Sequence, residues 1–213
     1  MSKTTGNRGW LSGSDGFTMV ELLIVLTIAA VLVTVGTPSY LSTITAYRIS
    51  TEVNELLGDL QYARSEAVKQ GTAVQMCIST DGATCSTSAT SWGAGHIVVA
   101  SPFGKDCTAA GNCTLLRTQQ RFSGADTAVS VNGETSIAFS RDGFAGTPST
   151  THWNGFSPLA QPIVLTVHDA HSSVAADRCV VINPVGQMSV LAPSTSTTTQ
   201  TAAAAQNAAP TCS

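Results

Sequence analysis

Apolar residues run almost without interruption from Leu22 to Gly36, and a single acidic residue, Glu21, precedes them. Such a stretch predicts a membrane-spanning helix, which we place at about 17–37. A carboxylate at bilayer depth costs roughly 2.5–3.5 kcal/mol, so Glu21 requires a compensating positive charge. Cleavage after Gly16 would create that charge at the new amino terminus of Phe17, four residues away or on a neighbouring chain.

The helical pattern continues beyond the apolar stretch. Apolar residues recur at every third or fourth position from Leu41 to Ala67, with charged residues between them. Gly71 is a typical helix stop, so we predict one helix from about Phe17 to Gln70. Its acidic residues form a stripe that we interpret as a solvated face, with another subunit as the alternative neighbour: Glu52, Glu55 and Asp59.

Short apolar and β-branched stretches, separated by turn residues, follow residue 72 and predict a β-rich head. The predicted strands are 73–78, 96–100, 114–121, 127–131, 135–140, 162–168, 178–183 and 186–191. Asn132-Gly133 predicts a hairpin between the fourth and fifth of them. Segment 143–161 is rich in Gly, Pro, Ser and Thr and is expected to be a long exposed loop.

The amino-terminal motif, Gly16-Phe17-Thr18-x-x-Glu21 before an apolar helix, resembles the signature of type IV pilins and pseudopilins. The resemblance implies a leader, 1–16, that prepilin peptidase removes, and methylation of the new terminus at Phe17. It also implies that Glu21 neutralises the amino terminus of an adjacent subunit, and that Pro38 kinks the helix. A secretory signal peptide fits less well, because its cleavage site would follow the apolar stretch.

Later segments resemble the GspH/FimT group of pilins. The similar segments are the helix end 60–69, the strand 92–99, the turn 137–144 and the last strand pair 179–186. His96 stands where that group usually has a tryptophan. The resemblance implies an α+β, type IV pilin-like fold, in which a long amino-terminal helix packs on an antiparallel β-rich head.

The domain organisation follows from these segments. We expect a leader at 1–16, a helix at 17–70, a β-rich head at 71–192 and a Ser/Thr/Ala-rich tail at 193–213 that is too polar to order itself. The implied partners are prepilin peptidase, other minor and major pilins, and an inner-membrane assembly platform. The implied location is the bacterial inner membrane with the head in the periplasm, and a pilus or pseudopilus after assembly.

Six cysteines suit an exported protein, in which disulfides persist. Six cysteines allow fifteen connectivities, and sequence proximity favours Cys77–Cys85 and Cys107–Cys113. Cys179 and Cys212 remain, and a bridge between them would tether the tail. The spacings are wider than those of zinc knuckles, so we predict no metal site. His168-Asp169-Ala170-His171 is a weaker metal candidate that we interpret as a solvated turn.

Enzymatic and nucleic-acid functions find little support. The common hydrolase, zinc-peptidase and phosphate-loop motifs are absent from the sequence, and we predict no catalytic residues and no cofactor. Removal of the leader leaves eight Lys and Arg against twelve Asp and Glu, an acidic balance that disfavours binding to DNA. DNA-binding members of the resembled group carry Gly-Arg-x-Arg where this chain has Gly186-Gln187-Met188-Ser189.

The sequence therefore predicts a minor type IV pilin of the FimT/FimU kind that helps to prime pilus assembly. The first alternative is an H-type minor pseudopilin of the type II protein secretion system, which would have the same fold in a different machine. A DNA-binding pilin for natural transformation is the second alternative, and the missing arginines disfavour it.

Overall fold

The longest element is a helix, α1, at Met19–Gln70, and it matches the range that the periodicity predicts. The structure, a computed structural model, describes residues 16–101, 105, 107–122, 126–149, 155–170 and 177–192, without the side chains of 35–39. Gly71 ends the helix with a positive φ of 67°, and its N–H donates to the Ala67 carbonyl. A left-handed residue at this position is the usual helix stop.

The chain divides into two units between Leu41 and Ser42. In the first unit, the described apolar side chains of α1 between Met19 and Val33 are exposed. No helix is long and apolar enough to cross a membrane within the residues that the structure describes. The span predicted at 17–37 includes positions 35–39, whose side chains lie outside that description, and it stays a prediction. Pro38 lies among them, so its proposed kink also stays a prediction.

The second unit contains the rest of α1 and the β-rich head. The described residues form one short 3-10 helix, η1 (Trp92–Ala94), and ten strands: β1 (Val74–Ile78), β2 (His96–Ala100), β3 (Thr114–Gln119), β4 (Thr127–Ser130), β5 (Ser136–Phe139), β6 (Ala145–Pro148), β7 (Phe156–Pro158), β8 (Ile163–His168), β9 (Arg178–Ile182) and β10 (Met188–Leu191). Six of these strands form a first sheet in the order β3-β2-β1-β5-β6-β7, and four form a second in the order β10-β9-β8-β4. Every pair is antiparallel, so the predicted α+β fold class is confirmed.

One face of α1 supplies the centre of the core. Its buried side chains are spaced alternately by four and three residues, as one helix face requires: Ile49, Val53, Leu56, Leu60, Ala63 and Ala67. They form one cluster with Met76 and Ile137 of the first sheet and with Leu165 and Val180 of the second. The helix therefore packs against both sheets in one shared apolar cluster.

The opposite face of the first sheet carries the cysteines. Disulfides join Cys77 to Cys85 and Cys107 to Cys113, as sequence proximity favoured. These cysteines pack with Ile97 and Val99 in a second, smaller cluster. Cys179 of β9 is also disulfide-bonded, whereas its expected partner, Cys212, lies outside the described residues.

The turn inside the first disulfide depends on Asp81. Its carboxylate accepts the N–H groups of Thr84 and Ala83 and the hydroxyls of Thr84 and Ser79. These donors hold the pKa of Asp81 well below its ordinary value, since they stabilise the ionised form. Gly82 follows with a positive φ of 71°, so the Asp-Gly pair forms the turn that its sequence favours.

Two sequence predictions about the strands were wrong. The expected loop 143–161 contains β6 and β7, which extend the first sheet although Gly146, Pro148 and Pro158 weaken any strand pattern. The Asn132-Gly133 turn joins β4 to β5, but these strands belong to different sheets and do not form a hairpin. The turn therefore carries the chain from one sheet to the other.

We expect Leu60→Ala to lower the free energy of unfolding by about 2–5 kcal/mol, because Leu60 is fully buried between helix and sheets. Leu115→Ala is the matched control, since Leu115 is 46% exposed on edge strand β3, and it should cost about 0.5 kcal/mol or less. Urea denaturation of the full-length protein in detergent micelles measures both. Equal losses would contradict the placement of α1 in the core.

Candidate functional site: the helix start and the polar contacts of the helix

Gly16 and Phe17 precede α1 without regular secondary structure, and Phe17 is 77% exposed. An ideal Cβ at Gly16 would meet no atom within 4 Å. The bond between these two residues is therefore unencumbered by the described part of the chain, as a peptidase substrate requires. This geometry agrees with the predicted cleavage position, which itself stays a prediction.

Thr18 caps the start of α1. Its Oγ1 accepts the N–H of Glu21 at 3.2 Å, and its carbonyl accepts the N–H of Leu22 at 3.1 Å. Thr-x-x-Glu is the spacing of a capping box, in which the acid stands at the third helical position. A carboxylate there is also favoured by the positive end of the helix dipole. Thr18 therefore has a helix-capping role that the sequence analysis did not identify, and Glu21 stands at the position that the helix dipole favours for an acid.

Asp59 lies on the buried side of α1, and the interpretation of the acidic stripe as a solvated face was wrong for it. Its Oδ2 lies 2.8 Å from Nε2 of His96 on β2, and its Oδ1 lies 2.9 Å from Nε of Arg117 on β3. The side chains of His96 and Asp59 are at most 1% exposed. Arg117 also stacks on Tyr62, with 5.7 Å from Cζ to the ring centroid. The stripe therefore joins the helix to its own first sheet at this position.

The prediction of a solvated face was also wrong for Glu52, because this residue is only 3% exposed. Glu55, the third member of the stripe, is exposed and accepts a hydrogen bond from Nε2 of Gln119 at 3.1 Å. Fourfold spacing along a helix places Glu55 and Asp59 near each other. The partners on β2 and β3 offset their repulsion, and periodicity alone could not reveal these partners.

Arg48 holds a second set of carboxylates. Its Nε and Nη2 donate to Asp126 at 2.5 and 3.0 Å, and Nη2 also donates to Asp169 at 2.6 Å. The hydrogen bond to Asp126, aided by the charge of Asp169, raises the pKa of Arg48. Asp177 accepts the N–H of Asp169, and its Oδ2 lies 2.9 Å from Nδ1 of His168. His168 and Asp169 thus contribute to a network of hydrogen bonds around Asp177 and Arg48, and His171 lies outside the described residues.

Arg64 connects α1 to both sheets. Its Nε donates to the Gly143 carbonyl at 3.0 Å, and its Nη2 donates to the Val185 carbonyl at 3.2 Å. Gly143 lies in the turn between β5 and β6 of the first sheet. Val185 lies in the turn between β9 and β10 of the second. The Arg64 guanidinium therefore donates to one carbonyl oxygen in each turn. The two turns belong to different sheets.

The two turns approach each other so closely that a side chain cannot fit between them. A Cβ at Gly186 would lie 2.1 Å from the Gly143 carbonyl oxygen, and both glycines have positive φ, 77° and 82°. The N–H of Ala145 donates to the Pro184 carbonyl at 2.9 Å and links the same turns. Both glycines lie in the segments that carried the resemblance, 137–144 and 179–186: the contact leaves no room for a Cβ at Gly186, and the positive φ favours glycine at 143.

The turn at 186–189, where the sequence lacks the two arginines expected of a DNA-binding pilin, presents a neutral side chain. Gln187 is exposed, and the backbone of this turn is closed by hydrogen bonds from Asn183 to Gln187 and from Gly186 to Asn183. Beside it lies a groove of about 680 Å³ whose lining includes Arg64, Lys69 and Asp142. Arg64 already donates to carbonyls and Lys69 pairs with Glu66, so the groove offers little free positive charge to phosphate.

Comparison with known proteins agrees with this geometry. Residues 11–37 match the prokaryotic N-terminal methylation motif, and this motif on an α+β head defines a type IV pilin-like protein. Residues 52–186 match the family described as type II transport protein GspH. Because that match covers more than half of the chain, the chain belongs to the GspH family, and the predicted resemblance is confirmed.

Solved structures of similar proteins include two of particular interest. The type IV minor pilin FimU of Pseudomonas aeruginosa is 20% identical, with a TM-score of 0.47 over 67% of this chain and 87% of FimU. The minor pseudopilin EpsH from the Type 2 Secretion System of Vibrio cholerae is 12% identical, with a TM-score of 0.44 over 68% of this chain and 97% of EpsH. No curated protein matches the chain.

We expect Gly186→Ala to lower the free energy of unfolding by more than Gly133→Ala does. Gly133 has a similar φ of 81° with open space around its Cβ position, so its substitution costs only the backbone strain of about 1–2 kcal/mol. Gly186→Ala adds a collision with the Gly143 carbonyl. Chemical denaturation compares the two variants, and equal losses would show that the turns are not in contact.

Proposed function

We propose that this protein is a minor type IV pilin of the FimT/FimU kind that helps to prime pilus assembly. The observation that carries the proposal is the helix start, where an exposed apolar surface and one acid in the first turn follow an accessible Gly16–Phe17 bond. Pilin-family membership and the methylation motif at 11–37 support it. In this role the chain acts as a structural subunit and not as an enzyme.

The exposed apolar side chains of α1 require a covering. Those from Leu22 to Val33 are at least half exposed, which is far more apolar surface than a monomeric soluble protein leaves uncovered. We propose that the bilayer covers them before assembly and the helices of other pilins cover them afterwards. The disulfides of the head suit the oxidising periplasm, and Lys3 and Arg8 suit the cytoplasmic side of the membrane.

Assembly would depend on Glu21. Prepilin peptidase would cut after Gly16, and the methylated amino terminus of Phe17 would remain positively charged. In the apolar interior of a filament, a carboxylate and an ammonium group from adjacent subunits stabilise each other far more than they do in water. We propose that this pairing sets the register of the incoming subunit.

An H-type minor pseudopilin of the type II secretion system is the second candidate, and the GspH family match favours it. Both candidates use the same fold and the same cleaved, methylated helix. Deletion of the gene distinguishes the two candidates. Loss of pili with intact protein secretion indicates a minor pilin, whereas loss of protein secretion with intact pili indicates a minor pseudopilin.

Glu21→Gln tests the charge directly. Glutamine also suits the third position of a capping box, so this variant keeps the helix cap of Thr18 and removes only the charge. As the only copy in the cell, it should insert in the membrane normally but enter filaments at least about tenfold less often, the effect of about 1.4 kcal/mol. Immunoblots of sheared filaments and of membranes measure both quantities.

Two further variants complete this test. Thr18→Ala is the matched control, because it removes the cap and keeps the charge, and it should assemble nearly normally. Glu21→Val also removes the charge and keeps the backbone N–H that Thr18 accepts, so it should fail like Glu21→Gln. Normal incorporation of Glu21→Gln together with failure of Thr18→Ala would assign the role of this segment to helix capping and would contradict charge pairing.

A further inference from the structure

A cavity of about 380 Å³ lies on the face of the first sheet that is turned away from α1. Side chains alternate along β1, so Val74, Met76 and Ile78 face the core, while Gln75 and Cys77 face this cavity. The volume lies within the range of small-molecule sites, about 300–1,000 Å³. The described lining of this cavity includes no residue of α1 and therefore not Arg64.

Gln75 forms the floor of the cavity and is only 4% exposed. Its Nε2 lies 3.5 Å from Sγ of Cys85, a weak acceptor. Its Oε1 is buried and has no hydrogen-bond partner in the described part of the chain. A buried polar atom without a partner is unfavourable, and such atoms in native proteins are usually satisfied by water or a ligand.

The walls of the cavity are rigid and polar. Both disulfides contribute to them, through Cys77–Cys85 and Cys107. The hydroxyl-bearing residues Thr135, Ser136 and Ser149 line the cavity, and Lys105 supplies its one described cation. The described lining includes no aromatic side chain and no carboxylate. Covalent cross-links hold such a site open at little entropic cost on binding.

We propose that this cavity binds a neutral, hydroxyl-rich ligand of the size of one or two sugar rings. The Gln75 amide can be assigned in either orientation, so its unpartnered atom is an acceptor or a donor. A hydroxyl group satisfies both, because it donates one hydrogen bond and accepts two. The hydroxyls of Thr135 and Ser136 extend the same complementarity, whereas an anion would meet a single lysine and the oxygen of Gln75.

The test uses the full-length protein in phosphatidylcholine nanodiscs, free of sugar-based detergent. Glucose, galactose, N-acetylglucosamine and maltose are titrated and followed by saturation-transfer NMR. We expect at least one of them to bind at a single site, and Gln75→Leu to weaken that binding at least about tenfold. Gln70→Leu is the matched control, since Gln70 is exposed at the end of α1 and bonds only to Glu66 in the described contacts; it should leave the affinity unchanged.

A second variant guards against misfolding. Thr135→Val keeps the side-chain shape and the backbone carbonyl that accepts the N–H of Ile78, and it removes one wall hydroxyl. We expect it to weaken the same sugar several-fold while the melting temperature without sugar stays within a few degrees. The proposal is overturned if none of the four sugars binds, or if binding is the same in Gln75→Leu. A crystal structure in which a side chain of the protein fills the cavity would overturn it as well.

Discussion

Arg64 donates from one face of α1 to carbonyl oxygens in two turns that belong to different sheets. No strand pair among the described residues joins the two sheets, so the apolar cluster shared with the helix and the contact between these turns hold them together. Gly186 is required because its backbone nearly touches that of Gly143, and Gly143 is favoured by its positive φ. Arginine is suited to this position, since its planar fork carries several donors in fixed directions and lysine has only one flexible ammonium group.

The buried acids of α1 follow from the same arrangement. Asp59 and Glu52 lie on the part of α1 that packs against the head, so both are buried although many neighbouring positions of the helix are exposed. Burial of a carboxylate is tolerated only with good partners, and His96 and Arg117 provide them for Asp59. The head therefore fixes the second half of α1 through apolar packing and three arginines. The described apolar side chains of the first half, from Met19 to Val33, are exposed.

The sequence predicted the helix, most strands and both local disulfides because these depend on periodicity, turn residues and short loops. It missed β6 and β7, whose Gly and Pro residues are acceptable only beside a strand already in place. It interpreted Asp59 as solvated because its partners lie 37 and 58 residues further along the chain, on other elements. The helix cap that Thr18 forms with the N–H of Glu21 could have been predicted from the Thr-x-x-Glu spacing.

Native-state hydrogen exchange of the full-length protein tests the central claim most directly, that the second half of α1 belongs to the core of the head. The amides of Ile49 to Val68 should exchange with the same opening free energy as those of β1 and β8, because the buried face of α1 shares one apolar cluster with both strands. Exchange of these helix amides at a clearly lower opening free energy than the strands would contradict the account. It would show that the helix can detach from a head that folds alone.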